Sequence, residues 1–415
     1  MSVDKCRFCD VDLKYTFADL GLQPLANEYL SYENSRKGQS FYPLHIKVCS
    51  SCFLVQMVRH FNPEHIFTDY KYFSSNSKAW LKHAENYVGM IKETLNLNKD
   101  SLVAEIASND GYLLQYFNKA GVRNFGIEPA ANVAEVAKTK GIDVICDFFG
   151  KQTALRTVHS EYGEKYGKVD LLIGNNVLAH VPDINDFVAG MKVILKDSGT
   201  VTMEFPHLLN LIDKKQFDTI YHEHFSYLSL FTVINIFEKH GLKVYDVEQI
   251  ETHGGSLRVY ATHIENNTKI MQAVENVLND EIKGGLKKTD TYTAFQQEVN
   301  TIKYNSIIEM SKLRLAGKTL LAYGAAAKGN TFLNFCGLGK EYFEHMIDVT
   351  PEKQGLCLPG TLIPIVGEDY ISKIKPDYIA ILPWNWKDEI IGRLNFVREW
   401  GCKFIIFIPE LSIFD

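Results

Sequence analysis

The chain has 415 residues, 46% of them apolar, 23% charged and 12% aromatic, enough to build two or three cores and far from the composition of a disordered chain. Forty-four Lys and Arg against 50 Asp and Glu leave a formal charge of −6, so no cationic field gathers nucleic acid, and none is expected as a partner. The start, MSVDKCRFCD, lacks a basic flank and an apolar core, and no later run approaches the ~18 apolar residues of a spanning helix, which predicts a cytoplasmic protein with no membrane partner.

Four of the eight cysteines fall in two pairs, Cys6-Arg-Phe-Cys9 and Cys49-Ser-Ser-Cys52. Two such knuckles can present four thiolates tetrahedrally to Zn²⁺, and a full four-cysteine shell leaves no open position for water, so the predicted metal is structural. The other reading of these thiols is redox-active or merely buried. Cys146, Cys336, Cys357 and Cys402 read as small core residues. A strand-like run covers Phe41 to Val48 between the pairs.

From residue 102 short apolar runs alternate with helical periodicity: strands over 102–107, 124–128, 143–146, 169–175 and 200–205, helices over 112–120, 132–140 and 184–195. Strands spaced by helices predict a parallel, doubly wound α/β sheet. Ligands of such sheets sit at the carboxyl ends of the strands, so the first turn decides cofactor class. Here it reads Ala107-Ser108-Asn109-Asp110-Gly111, with one glycine where a dinucleotide site wants GxGxxG, and an aspartate that would repel a pyrophosphate. An aspartate there suits the amino group of S-adenosylmethionine. Glu128, at the next strand's end in Gly126-Ile127-Glu128-Pro129, lies where a carboxylate accepts both ribose hydroxyls. A fourth strand end, Gly174-Asn175-Asn176 running on to His180, overlooks the same cleft. The predicted cofactor residues are Ser108, Asn109, Asp110, Gly111, Glu128 and Asn176, in a class I methyltransferase domain.

The segment Tyr221-His222-Glu223-His224-Phe225-Ser226-Tyr227 packs two imidazoles, a carboxylate and two phenols into seven residues. Imidazole titrates near neutrality and suits proton transfer. The His-Glu-His spacing is too short for a metalloprotease helix face, and an extended strand would send His222 and His224 to one side, Tyr221, Glu223 and Phe225 to the other. His180 competes as a base, and a packing role is the plain alternative for each histidine. Residues 267–315 read as one or two long helices broken near Gly284-Gly285, before a second α/β rhythm with strands over 319–323, 346–349, 378–382 and 404–408. Its first turn, Tyr323-Gly-Ala-Ala-Ala-Lys328-Gly-Asn330, is neither a Walker loop nor GxGxxG, but small residues and Lys328 at a helix start can meet a phosphate. Asp348 closes the next strand, within reach of a ribose hydroxyl.

Taken together, the two CxxC pairs, Tyr70-Lys71-Tyr72-Phe73-Ser74-Ser75, SNDGYLL, GIEPAANVA, NNVLAHVPD, YHEHFSYLS, HGGSLRVY, YGAAAKGN and DVTPEKQG resemble the nucleotide-sugar C-methyltransferases that make branched deoxysugars such as tetronitrose or mycarose. The likeness runs from Cys6 to about Pro383 in the expected order; Ala107 stands where a glycine would be more flexible. It implies a zinc module (1–75, ligands Cys6, Cys9, Cys49 and Cys52), an S-adenosylmethionine domain (76–265), and a helical linker with a Rossmann-like nucleotide-sugar domain (266–415). The expected substrate is a 4-keto nucleotide-linked deoxysugar, methylated at C3 through an enolate. The resemblance makes His224 the base, with Tyr221 and Glu223 beside it. His180 and Tyr72 are expected along the sugar-facing wall, Tyr70 in place of Tyr72 as a variant, and Gly324, Lys328 and Asn330 against the nucleotide. A monomer is expected. The competing readings are a nicotinamide-dependent nucleotide-sugar oxidoreductase and a non-catalytic zinc and nucleotide-binding protein.

Overall fold

The computed structural model describes residues 4–58, 73–159 and 165–415. Tyr70 and Tyr72 lie outside the described residues.

The central sheet has seven strands in the order Leu242–Ile250, Ser256–His263, Leu195–Pro206, Val169–Asn175, Leu102–Ile106, Arg123–Ile127, Asp143–Ile145. All pairs are parallel except those of Ser256–His263, which runs antiparallel to both neighbours. Chain order reverses direction across the sheet between Leu102–Ile106 and Val169–Asn175, and a ligand crevice opens at that switch point. Helix Lys78–Thr94 covers one face because Ala84, Tyr87, Val88 and Ile91 recur at helical spacing and are buried together. Ser77 starts it, its hydroxyl accepting the Trp80 N–H at 3.2 Å.

The amino-terminal strands Tyr15–Gln23, Tyr42–Val48 and Val55–Met57 form an antiparallel sheet completed by a strand from far along the chain, Ser226–Tyr227. The segment carrying the two histidines is thereby stitched to the cysteine module. A second tie runs the other way: Leu30–Ser31 pairs with Leu356–Cys357.

Helices Gln272–Lys283 and Thr289–Leu315 flank Gly284-Gly285, as the glycine pair predicts. The first sends Glu281 into the central domain, where its carboxylate accepts the N–H groups of Leu230 (2.5 Å) and Phe231 (2.9 Å) at the start of helix Leu230–Lys239 and meets His207 Nε2 at 2.8 Å. The carboxy-terminal sheet is ordered Ile365–Val366, Met346–Ile347, Leu320–Tyr323, Tyr378–Ile381, Lys403–Ile406, Ser412–Phe414, parallel but for the last strand. Among the described residues no helix is long and apolar enough to cross a membrane. Cys336, Cys357 and Cys402 are buried, whereas Cys146 is exposed beyond the end of its strand.

Candidate active site

The four paired thiols converge. Sγ of Cys6 lies 3.6 Å from Cys52, and Cys9 lies 3.5 Å from Cys49 and 3.6 Å from Cys52. A tetrahedron of sulfurs around Zn²⁺ at ~2.3 Å has edges of about 3.8 Å, so the cluster fits the ion with only slight expansion. N–H groups already point at the sulfurs: Gln56 Nε2 at 3.1 Å from Cys6 and the Ser51 amide at 3.4 Å from Cys49. Such donors stabilise thiolate, the form that binds metal.

At the switch point the turn after Leu102–Ile106 is wound tightly. Ala107, Asn109 and Gly111 take φ of +55°, +49° and +73°. The left-handed region costs a residue with a Cβ roughly 1–2 kcal/mol, so alanine at 107 keeps a strained backbone where glycine would relax it. Gly111 has a further reason: a Cβ there would meet Ile142 Cδ1 at 2.3 Å. Glu128 is 5% exposed, and its two oxygens accept the amides of Asn109 and Ala130, each at 2.9 Å. This pins the carboxylate to one rotamer with lone pairs to spare, while burial raises its pKa. Asp110 is buried, pairs with Lys140 Nζ at 3.2 Å, and accepts the Ser75 amide at 3.3 Å. Its other oxygen, Oδ1, and Ser108 Oγ are buried with no partner among the described residues. Orphaned acceptors beside a strained turn fit a ligand that brings a cationic amine and hydroxyl donors, as S-adenosylmethionine does. Ser74, by donating to Asn109 Oδ1 at 2.9 Å, closes the turn from outside.

The histidine segment is not extended. Its residues turn, with the His224 amide donating to Tyr221 O at 2.9 Å, and the strand begins only at Ser226. The turn separates the two imidazoles that a strand would have placed together. His222 is 1% exposed, its ring 6.1 Å from that of Tyr42, and burial lowers its pKa to about 4 against the hydrogen-bonding backbone of Pro43 and Tyr42. His224 instead faces Tyr221 and His180, with ring centroids 4.1 and 4.7 Å away. Its Nδ1 lies 2.8 Å from Thr219 O. A carbonyl only accepts, so Nδ1 carries the hydrogen and the neutral ring holds its lone pair on Nε2. His180 is set likewise, Nδ1 donating to Glu223 O at 2.8 Å, but desolvation lowers its pKa to about 4. Its imidazolium is disfavoured, which makes His180 a weak proton acceptor.

Glu223, 8% exposed, accepts Asn27 Nδ2 at 2.6 Å, and burial raises its pKa. Asn27 went unnoticed in the sequence, as did Arg7, which donates to the Phe225 carbonyl, to Ser226 Oγ at 3.1 Å and to Met57 O at 3.5 Å. The Phe225 amide donates to Ala179 O at 2.8 Å, which ties the histidine segment to the His180 loop. That loop follows Val169–Asn175, hydrogen-bonded neighbour of the strand that delivers the cofactor turn, and Asn176 takes φ +54° where it leaves the sheet.

In the carboxy-terminal turn the sequence candidates divide. Gly324, at φ +94°, has no room for a side chain, since a Cβ would meet Pro383 Cδ at 2.4 Å. Asn330 is 1% exposed and its Oδ1 accepts Asn334 Nδ2 at 3.1 Å, so it holds its own helix. Lys328 Nζ sits 4.7 Å over the Trp384 ring and donates to Asn385 Oδ1 at 3.2 Å, and burial lowers its pKa. Asp348 accepts the amides of Ala325 (2.7 Å) and Thr350 (2.8 Å), which shows it closing the turn. Lys353 Nζ donates to Ala325 O at 2.6 Å, and Tyr29 Oη donates to the same oxygen at 2.6 Å.

Three family models match successive stretches of the chain. Residues 6–67 match a family model described as "Putative zinc binding domain", 81–247 one described as "Methyltransferase domain", and 251–409 one described as "C-methyltransferase C-terminal domain". The C-methyltransferase NovU of Streptomyces niveus is 35% identical over 409 residues, 98% of this chain and 96% of that protein. Among solved structures, the PH0226 protein of Pyrococcus horikoshii overlaps 49% of this chain and 99% of its own, at 13% identity and TM-score 0.36. Magnesium protoporphyrin IX methyltransferase from Synechocystis, solved with bound SAH, overlaps 44% of this chain and 83% of its own, at 14% identity and TM-score 0.34. The full-length relative and the matched models agree, and the chain belongs to the S-adenosylmethionine-dependent C-methyltransferases that carry an amino-terminal zinc-binding module.

Proposed function

We propose that the enzyme methylates a carbon next to the keto group of a 4-keto nucleotide-linked deoxysugar, C3 by its resemblance to the tetronitrose and mycarose enzymes, in the cytoplasm. The observation that carries this reading is the His224 imidazole, its Nδ1–H held by Thr219 O, in contact with a phenol and with the imidazole of His180, whose loop leaves the strand paired with that of the cofactor turn. Carbon becomes nucleophilic only if its proton leaves and the charge spreads onto a carbonyl oxygen, which is what a 4-keto sugar offers. His224 Nε2 takes the C–H proton, and Nδ1–H···O keeps the resulting imidazolium in place. Tyr221, whose ring packs on His224, orients the sugar or donates to the enolate oxygen, and Glu223 sets the hydrogen-bond network behind it. Asp110 and Glu128 hold the cofactor, with Ser108, Asn109, Gly111 and Asn176 shaping its pocket. When bound, S-adenosylmethionine supplies an electrophilic methyl group on a sulfonium. Lys328 and Lys353, flanking the Gly/Ala turn, are the cations available to the nucleotide's phosphates.

The test is incubation with S-adenosylmethionine and a panel of 4-keto nucleotide sugars, following a mass gain of one methyl. His224→Asn should retain cofactor binding and lose turnover by about 10²- to 10⁴-fold. If no keto sugar is methylated, or His224→Asn turns over as wild type does, the reading is wrong.

A further inference from the structure

The carbonyl that orients His224 belongs to a short turn, Phe217–Thr219, whose three residues are all buried. What buries them is the carboxy-terminal domain. The Phe217 ring packs 6.0 Å from Phe332 and 5.4 Å from Phe335, both on helix Ala327–Cys336. Asp218, 1% exposed, accepts the indole N–H of Trp384 on Oδ2 at 2.8 Å, and its Oδ1 has no partner among the described residues. Burial pushes the Asp218 carboxyl up to about 6, while the Lys328 charge and the Trp384 indole N–H draw it down. The far edge of the indole is fixed as well: a Cβ on Gly254 would meet Trp384 Cη2 at 2.6 Å, so the HGGS glycine is what lets the ring approach. The next residue after Asp218 is Thr219, whose hydroxyl donates to Gln216 O at 2.7 Å and whose carbonyl takes the Nδ1–H of His224.

We infer that Asp218 and Trp384 are positioning residues for the base: the carboxy-terminal domain, besides any contact with substrate, fixes the ring orientation and tautomer of His224 through the Thr219 carbonyl. The inference rests on the assignment of His224 as base only for its catalytic meaning; the geometric link stands apart from it. Through Lys328, which lies over the same indole, the residue available to a phosphate is also in contact with the anchor of the base.

The experiment reads the tautomer directly. Protein labelled with ¹⁵N-histidine, zinc-loaded and in mildly alkaline buffer, is examined by long-range ¹H–¹⁵N correlation, with the His224 signal identified by its loss in His224→Asn. In wild type His224 should show the Nδ1–H pattern. Trp384→Phe, which keeps a ring and removes only the N–H donor, should bring the two ring-nitrogen shifts of His224 closer together, the mark of a mixed tautomer. Asp218→Leu should do so more strongly, and Asp218→Asn, which keeps an acceptor oxygen, should restore most of the wild-type pattern. His207, whose ring is held by Glu281 on helix Gln272–Lys283, should not change in any of them. An unaltered His224 pattern in Trp384→Phe overturns the inference even if Asp218→Leu proves insoluble. Turnover plays no part in this readout, so an active His224→Asn enzyme would end the base assignment and leave the positioning result standing.

Discussion

Arg7, inside the Cys6–Cys9 knuckle, donates from its guanidinium to the carbonyl oxygen of Phe225, the residue that follows His224. The guanidinium carbon also lies 5.9 Å from the centroid of the Phe225 ring. A cysteine knuckle thus grips the histidine segment by its backbone, one residue past the proposed base. Replacing Arg7 by Met keeps both knuckle thiols but removes the donors to Phe225 O and Ser226 Oγ, worth about 1–3 kcal/mol where the partners are buried. The variant should bind a full complement of zinc, bind S-adenosylmethionine normally, and turn over about 10- to 100-fold more slowly because the base is misplaced. Metal analysis, calorimetric titration and a turnover assay on one preparation check all three; full activity would show that the grip is incidental.

Removing the metal should act more broadly. Cys49→Ser opens the thiol tetrahedron, and the small sheet it supports includes Ser226–Tyr227. Zinc content should fall from about one per chain to near zero, with loss of solubility or of near-ultraviolet circular dichroism, because ligand binding supplies folding free energy to a module with a small core. A metal-free wild type that is fully folded would refute the zinc assignment.

Locally encoded features were legible in the sequence, and contacts between distant segments were not. Four cysteines in two pairs announce one site because each CxxC knuckle is a local structure, and strand periodicity alone places Glu128 just past a carboxyl end. Arg7, Asn27, Asp218 and Trp384 act on partners 218, 196, 166 and 166 positions away, respectively, so no spacing rule points to them. The same limit explains the histidine segment. An extended strand would have put both imidazoles on one side, but the local Nδ1 bond of His224 to Thr219 and the tertiary burial of His222 against Tyr42 fold the segment into a turn. Small and amide residues at a helix start serve binding and packing alike, so the sequence does not show that Gly324 packs on Pro383 or that Asn330 accepts from Asn334.

Glu128 holds the turn after Leu102–Ile106 through the Asn109 and Ala130 amides, and its proposed second role is to accept the ribose hydroxyls, so its variants should separate the two. Glu128→Ala removes the acceptors of the Asn109 and Ala130 amides and should weaken S-adenosylmethionine binding by about 10- to 100-fold, the worth of one charge-assisted hydrogen bond. Glu128→Gln keeps one acceptor oxygen and should fall between. Isothermal titration with S-adenosylmethionine and with NAD⁺ decides the matter, and binding of NAD⁺ alone would reverse the cofactor assignment.

Acid stability should report the two desolvated histidines. His180 and His222 have their pKa values pulled from 6.5 to about 4 by desolvation. Between those two values the unfolded chain binds a proton at each position and the folded chain does not, so stability rises with pH across the window. The contribution is fully present above about pH 6.5 and is lost as the pH falls toward 4, at about 3 kcal/mol for each residue. The urea midpoint of wild type should therefore be level at neutral pH and decline below it. His222→Asn cannot charge and should decline less steeply, whatever its stability at neutral pH. Zinc release on acidification affects both proteins alike and cancels in the comparison of slopes. Equal slopes for His222→Asn and wild type would mean that His222 is protonated in the folded state at mildly acidic pH, and that its burial against Tyr42 is looser than the structure shows.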